Sequence, residues 1–163
     1  MSNDTIEEKH HEIWEAIKDI ETGMFTTQDG EKLRSRPMQL VQKAYEGTLW
    51  FFTSGHSAKV LEAMDNPEVN VTFANPEENE YISLSGIAGV SHDRERIGSM
   101  WNKAVEIWFP KEERGDVALL KIDIYMGERW SSKDGTLKKA FEFAKAAITD
   151  STPDIGNNEK FAQ

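Results

Sequence analysis

The sequence predicts a mainly β fold, a β-barrel of six antiparallel strands with peripheral helices. Three observations point to it. Apolar segments of strand length recur at residues 24–27, 33–41, 48–53, 69–73, 81–90 and 117–125. Most are separated by turn signals or short helices, which favours antiparallel neighbours. Neither a βαβ alternation nor a Gly-x-Gly-x-x-Gly run is present, which counts against a dinucleotide-binding sheet. Closing six strands into a barrel removes exposed edges.

The elements follow in order. Thr5-Ile6-Glu7-Glu8 is a capping box, with Thr5 as N-cap and Glu8 reaching back. Ile6, Ile13, Trp14, Ile17 and Ile20 then recur at helical spacing, so residues 5–20 form an amphipathic helix that Gly23 ends. The strand at 24–27 meets the Asp29-Gly30 hairpin signal, and residues 33–41 return antiparallel to it. Tyr45-Glu46-Gly47 turns the chain into the aromatic strand 48–53. A short helix over 57–64 ends at Asp65-Asn66-Pro67, and 69–73 alternates as a strand. In the long strand 81–90, Gly86 and Gly89 suggest a bulge or a close backbone approach. Residues 93–106 read as a helix with Ile97, Met100, Trp101, Ala104 and Val105 on one face. After the strand 117–125, a last helix is expected over 136–148. We expect one domain over residues 1–150, without repeats, and a polar, flexible tail over 151–163.

Composition narrows the function. With 38% hydrophobic residues the chain is globular. Its 29 acidic and 19 basic side chains give a net charge of −10. This argues against binding to nucleic acid or anionic membrane, which needs a basic face, but still allows a local cation cluster for one phosphate. The absence of cysteine removes disulfides, iron–sulfur sites and thiol nucleophiles. No apolar run approaches the roughly 20 residues of a membrane span. Met1-Ser2-Asn3-Asp4 lacks the start of a signal peptide, so a cytoplasmic location is expected. His10, His11, His56 and His92 show no metal-ligand spacing, so no metal is expected. No Ser-His-acid arrangement is suggested, and no catalytic residue is assigned.

Two neighbouring stretches carry chemistry. In Leu33-Arg34-Ser35-Arg36-Pro37-Met38, the two arginines are two apart on a strand and point to one face. Such a face must meet water, carboxylates or a bound anion. Spacing alone leaves a surface ion pair and a phosphate site equally open. In Leu49-Trp50-Phe51-Phe52-Thr53-Ser54-Gly55-His56-Ser57-Ala58-Lys59, an aromatic strand enters a hydroxyl-rich turn and then a helix. Ser57 takes the N-cap position. Lys59 falls in the first helical turn, where the dipole disfavours a cation unless an anion sits beside it. A capped helix with a solvated lysine is the plainer alternative. Together the stretches suggest a pocket for a phosphorylated aromatic molecule.

The motif order also resembles a known family. Arg34 to Met38, Leu49 to Thr53, Ser57 to Lys59, Asn66 to Val71, Ser83 to Gly86 and Trp108 to Pro110 are similar to the general stress protein 26 group. That group belongs to the pyridoxamine 5′-phosphate oxidase-like, FMN-binding split-barrel proteins. The resemblance spans about residues 8–130 and implies a split-barrel homodimer with FMN at the subunit interface. FAD is the alternative cofactor, because an open pocket end could admit an adenylate. The resemblance implies cofactor contacts from the strand bearing Arg34, Ser35, Arg36 and Pro37, from Phe52-Thr53, and from Ser57 and Lys59. Ala58 stands where the oxidases carry an arginine, for which Arg36 could compensate. Trp108 could cover the isoalloxazine from the partner subunit, and Trp130 could match a tryptophan of the oxidases. Trp101 is better explained by core or dimer packing.

Ser131-Ser132-Lys133-Asp134-Gly135 replaces the segment with which the oxidases grip their vitamin B6 substrate. Flavin binding therefore carries over better than B6 oxidase activity. A flavin-dependent oxidoreductase acting on an unknown small substrate is the first expectation. A non-catalytic flavin-storing or flavin-sensing stress protein is the second. A barrel whose arginines bind only carboxylates is the third.

Overall fold

The structure is a computed structural model that describes residues 5–131 and 157–162. Helix α1 (Ile6–Ile17) starts at the expected capping box: the Glu8 amide donates to Thr5 Oγ1 at 3.2 Å, and the Thr5 amide donates to Glu8 Oε2 at 2.7 Å. It buries Ile13, Ala16 and Ile17. Strands β1 (Thr22–Asp29) and β2 (Lys32–Gln39) form a hairpin whose two-residue loop places Gly30 first, at φ +63°. The register sets Arg34 opposite Thr27 and Arg36 opposite Phe25.

Strand β3 (Thr48–Ser54) leads through a turn into helix α2 (Ala58–Asp65), followed by β4 (Glu68–Asn75), β5 (Glu80–Ser91) and β6 (Val117–Ser131). All strand pairs are antiparallel, in the order β2-β1-β4-β5-β6-β3. The two ends of this order, β2 and β3, approach without forming a ladder, so the barrel is split between them. Gln42 bridges the gap. Its amide nitrogen donates to the carbonyls of Ala44 (2.8 Å) and Thr48 (2.9 Å), and its oxygen accepts the Trp50 amide (2.8 Å). One side chain thus satisfies backbone groups that a closed barrel would have paired. The β5–β6 register shifts between Ser85 and Gly86, where a Cβ would collide with the Asp123 carbonyl oxygen.

The interior of the barrel holds Phe25, Phe51, Phe73, Leu84 and Ile122, all fully buried. A second, smaller core lies on the outer side of β3, where Phe52, Ile97, Val105, Val117 and Leu119 are buried. The aromatic strand therefore buries both faces.

Several boundaries differ from expectation. The helix predicted over 93–106 is two helices, α3 (Arg94–Met100) and α4 (Lys103–Trp108). Trp101 is extended between them and packs edge-on against Phe52, with ring centroids 5.5 Å apart, while Asn102 Oδ1 caps α4 by accepting the Val105 amide at 3.1 Å. Strand β6 runs past Tyr125 to Ser131, so Trp130 lies within a strand rather than beyond one. Within the tail expected to be flexible, β7 (Asn157–Ala162) pairs with β6, and Phe161 is buried in the main core. The helix predicted over 136–148 lies outside the described residues. No helix among the described residues is long and apolar enough to cross a membrane.

Candidate functional site

The site begins where β3 ends. Alternation along β3 sends the Phe52 side chain to the outer core and Thr53 to the opposite face. Thr53 Oγ1 lies 3.1 Å from Ser57 Oγ. Ser57 is the residue before α2, yet its side chain makes no cap hydrogen bond. Among the described residues, the first N–H groups of α2 therefore have no side-chain partner, and the positive end of the helix dipole is left open.

Asp116, at the end of a 3₁₀ turn (Lys111–Asp116), fastens the loop between β3 and α2. Its carbonyl accepts the Gly55 amide (2.8 Å), and its carboxylate accepts Ser54 Oγ (2.9 Å) and lies 2.5 Å from His56 Nδ1. The Ser54 hydrogen bond, then the His56 contact, hold this carboxyl below the usual aspartate range.

About one turn further along α2, Glu62 is 8% exposed and collects three donors. Arg34 Nη1 reaches Oε1 at 2.7 Å, while Arg36 Nη2 and Thr27 Oγ1 reach Oε2 at 2.6 and 2.5 Å. Thr27 Oγ1 also accepts Arg36 Nη1 at 2.6 Å. The Thr27 hydrogen bond, followed by the two guanidinium groups, outweighs burial and holds the Glu62 carboxyl below its ordinary range. Both arginines thus face one buried carboxylate. Arg34 also lies 3.7 Å from Asp29 and opens onto a cleft lined by Asp29, Glu62 and Asp65. Arg36 is the more enclosed of the pair, with a side chain 20% exposed against 52%.

Lys59 is half-buried and forms no hydrogen bond or ion pair with any described residue. Burial, then the neighbouring charge of Arg36, push its ammonium below the usual lysine range, and Glu62 only partly offsets them. A cation here faces another cation and the positive end of a helix. A bound anion would relieve both.

Beside this end of β3 lies an apolar cleft of about 410 Å³, walled by Pro37, Met38, Leu40, Phe52, Val105 and Trp108. Its polar lining is Thr22, Gln39 and Asn102. Trp108 is 71% exposed and forms one side.

The fold therefore sets Arg36 near Lys59 and Thr53 beside Ser57, while Pro37, Phe52 and Trp108 line the apolar cleft. Arg34 turns toward the acids. Ser35 points to the other face of β2, where its hydroxyl accepts from Thr26 Oγ1 at 3.2 Å. Trp130 sits on β6 opposite Tyr81 and is not among the residues lining the apolar cleft. Sequence reasoning missed Glu62, Thr27 and Asp116. Glu62 alone had a signal: it lies three residues after Lys59, between Val60 and Ala63 on the buried side of α2, where an acid needs a cationic partner.

Residues 8–154 match the family described as pyridoxamine 5′-phosphate oxidase like. The protein bli-3 of Neurospora crassa is 26% identical over 158 residues, which cover 88% of this chain and 75% of that protein. The crystal structure designated a general stress protein 26 from Jannaschia sp. CCS1 superposes with a TM-score of 0.70 and 27% identity, covering 98% of this chain and 100% of that one. A general stress FMN/FAD binding protein from Xanthomonas citri superposes with a TM-score of 0.68 and 25% identity, covering 80% of this chain and 93% of that one.

Proposed function

The chain belongs to the pyridoxamine 5′-phosphate oxidase-like family, and from that premise we propose that it is a flavoprotein that binds FMN between α2 and the apolar cleft. The observation that carries this reading is Lys59: half-buried, without a partner among the described residues, at the uncapped start of α2. Lys59, Ser57, Thr53 and Arg36 would hold the phosphate, and Pro37, Phe52 and Trp108 would enclose the ring. The Xanthomonas relative, described as FMN/FAD binding, supports a flavin. FMN is preferred here because its phosphate is a terminal monoester, suited to a helix end with one lysine.

The bound flavin would supply electron or hydride transfer to a small substrate. The chain's part is to seat the ring against an apolar wall and fix its phosphate. The polar cleft residues Thr22, Gln39 and Asn102 do not titrate near neutral pH. No proton-transfer group is therefore assigned, and the same lining favours the second reading, flavin storage or sensing without turnover. Steady oxidation of a nicotinamide or B6 substrate by the holoprotein supports the enzyme. Absence of turnover across a broad panel supports the carrier.

A homodimer that completes the flavin site belongs to the same proposal. The outer face of the barrel carries Met24, Leu33, Ile87, Tyr125 and Met126, all exposed, an apolar surface suited to a second copy.

Titration of apoprotein with FMN tests the reading. Saturable quenching of flavin fluorescence at micromolar concentration or below is expected, and mass analysis of the released ligand separates FMN from FAD. No saturable change up to roughly millimolar FMN, a bound of about −4 kcal/mol, overturns it.

A further inference from the structure

A second cavity, of about 600 Å³, opens beside Gln42 at the split of the barrel. Its apolar walls are Trp50, Met100 and Trp101, which pack against the outer core. Its charged lining is Lys43, Glu46, Arg96 and Lys121. Two of these cations share one ring. The Arg96 guanidinium carbon lies 4.6 Å from the Trp50 centroid, and the Lys121 ammonium 5.9 Å. The ring attracts each of them but brings two like charges together.

The polar groups of the lining differ in what they have left to bond. Gln42 is committed to backbone groups through both its oxygen and its nitrogen. Thr48 Oγ1 donates to Asp123, and Ser99 Oγ donates to the Arg96 carbonyl, each at 2.8 Å. Asn102 Oδ1 accepts the Val105 amide. The Arg96 guanidinium and the Lys43 ammonium, by contrast, form no hydrogen bond or ion pair with a described residue. Both groups can only donate. What this cavity has in reserve is therefore donors, which an anion would use.

With every charge counted alike, Lys43, Arg96 and Lys121 oppose Glu46 and Asp123, the latter 3.4 Å from Lys121. Glu106 and Arg114, both against Trp101, cancel. One positive charge remains, in a chain whose net charge is −10. That balance suits a single negative charge better than the near-dianion of a phosphate monoester. We infer that this cavity is a second binding site, for a small aromatic carboxylate. Its carboxylate takes the Arg96 fork, and its ring lies against the walls of Trp50 and Trp101. Val41 and Asn102 line both this cavity and the apolar cleft, so the two adjoin. A place next to the flavin ring rests on the flavin reading above; binding of the acid does not.

Calorimetric titration of the full chain, with and without saturating FMN, tests the site. The probes are 2-naphthoate and 2-naphthamide, which share a shape and differ in charge. Naphthoate should bind saturably at about millimolar concentration or below, and the amide roughly tenfold more weakly, the low end for a charge-assisted hydrogen bond. Arg96→Gln should weaken naphthoate roughly tenfold and leave the amide within about twofold. Lys32→Gln removes the same charge from an exposed position outside the cavity, and should leave both probes within about twofold. Saturating FMN should not displace naphthoate.

Equal affinity for acid and amide, naphthoate binding unmoved by Arg96→Gln, an equal loss in Lys32→Gln, or displacement by FMN overturns the inference. So does the absence of saturable naphthoate binding up to about 10 mM. If Arg96→Gln does not fold, Lys121→Gln decides: it must weaken naphthoate and spare the amide. If naphthoate binds in an Arg96-dependent way and FMN does not bind, the flavin reading fails and this site stands.

Discussion

Lys59 shows how one residue links sequence position to a measurable property. Its charge is disfavoured in the folded chain by burial, by Arg36 and by the open end of α2. Folding therefore releases protons from this group between its lowered folded value and the ordinary value of 10.5, and its contribution to stability rises with pH across that window. A phosphate beside it reverses the shift. FMN binding should then take up protons, so FMN affinity should fall as pH rises through the alkaline range, while riboflavin affinity should not. Lys59→Ala should cost FMN about ten- to a hundredfold, the loss of one charge-assisted hydrogen bond, leave riboflavin unchanged, and abolish the difference in pH profile. Equal losses for the two flavins would show that Lys59 supports the fold or the ring instead. Glu62 has linkage of the same sign in an acid window. Its folded pKa is depressed, so the stability it contributes is present above the unfolded value of 4.5 and disappears as pH falls through the lowered one.

Among the elements, β5 is the most constrained. Its register shift at Ser85 and Gly86 brings the Asp123 backbone of β6 against Gly86 with no room for a Cβ. Gly86→Ala should destabilise the protein by about 1–3 kcal/mol through overpacking against backbone that cannot move aside, read as a lower urea midpoint. Gly89→Ala, at an open position, is the control and should change little. The strand also illustrates what alternation can and cannot announce. Glycines within an apolar strand signal a bulge or a close approach. The break between α3 and α4 carried no comparable signal, because Trp101 fits a helical stripe as well as it fits the Phe52 pocket, and only the pocket decides.

For the whole molecule, the exposed methionine, leucine and isoleucine side chains on the outer barrel face should place the protein in solution as a dimer. Light scattering at working concentration should give about twice 18.5 kDa. Leu33→Glu combined with Met126→Glu, two exposed positions, should yield a folded monomer with weakened FMN binding. A lone wild-type monomer that binds FMN tightly would rule out a shared site.

Local patterning along the chain set most of the barrel. Period-two apolar runs, the Asp29-Gly30 turn, the Thr5 capping box and the Ser57 helix start are local signals, set by steric preference and hydrogen bonding within a few residues. It also determined that two arginines share one strand face. Tertiary structure decided what that face meets. Arg34 and Arg36 meet Glu62 because α2 packs across the β1–β2 hairpin, a contact between residues 26 and 28 positions apart that no local pattern encodes. The same distance hid Asp116, which is 62 positions from Ser54, and β7, where a single buried Phe161 fixes a segment whose composition otherwise reads as a polar tail. Charge and period are written locally, whereas the partner of a charge is chosen by packing.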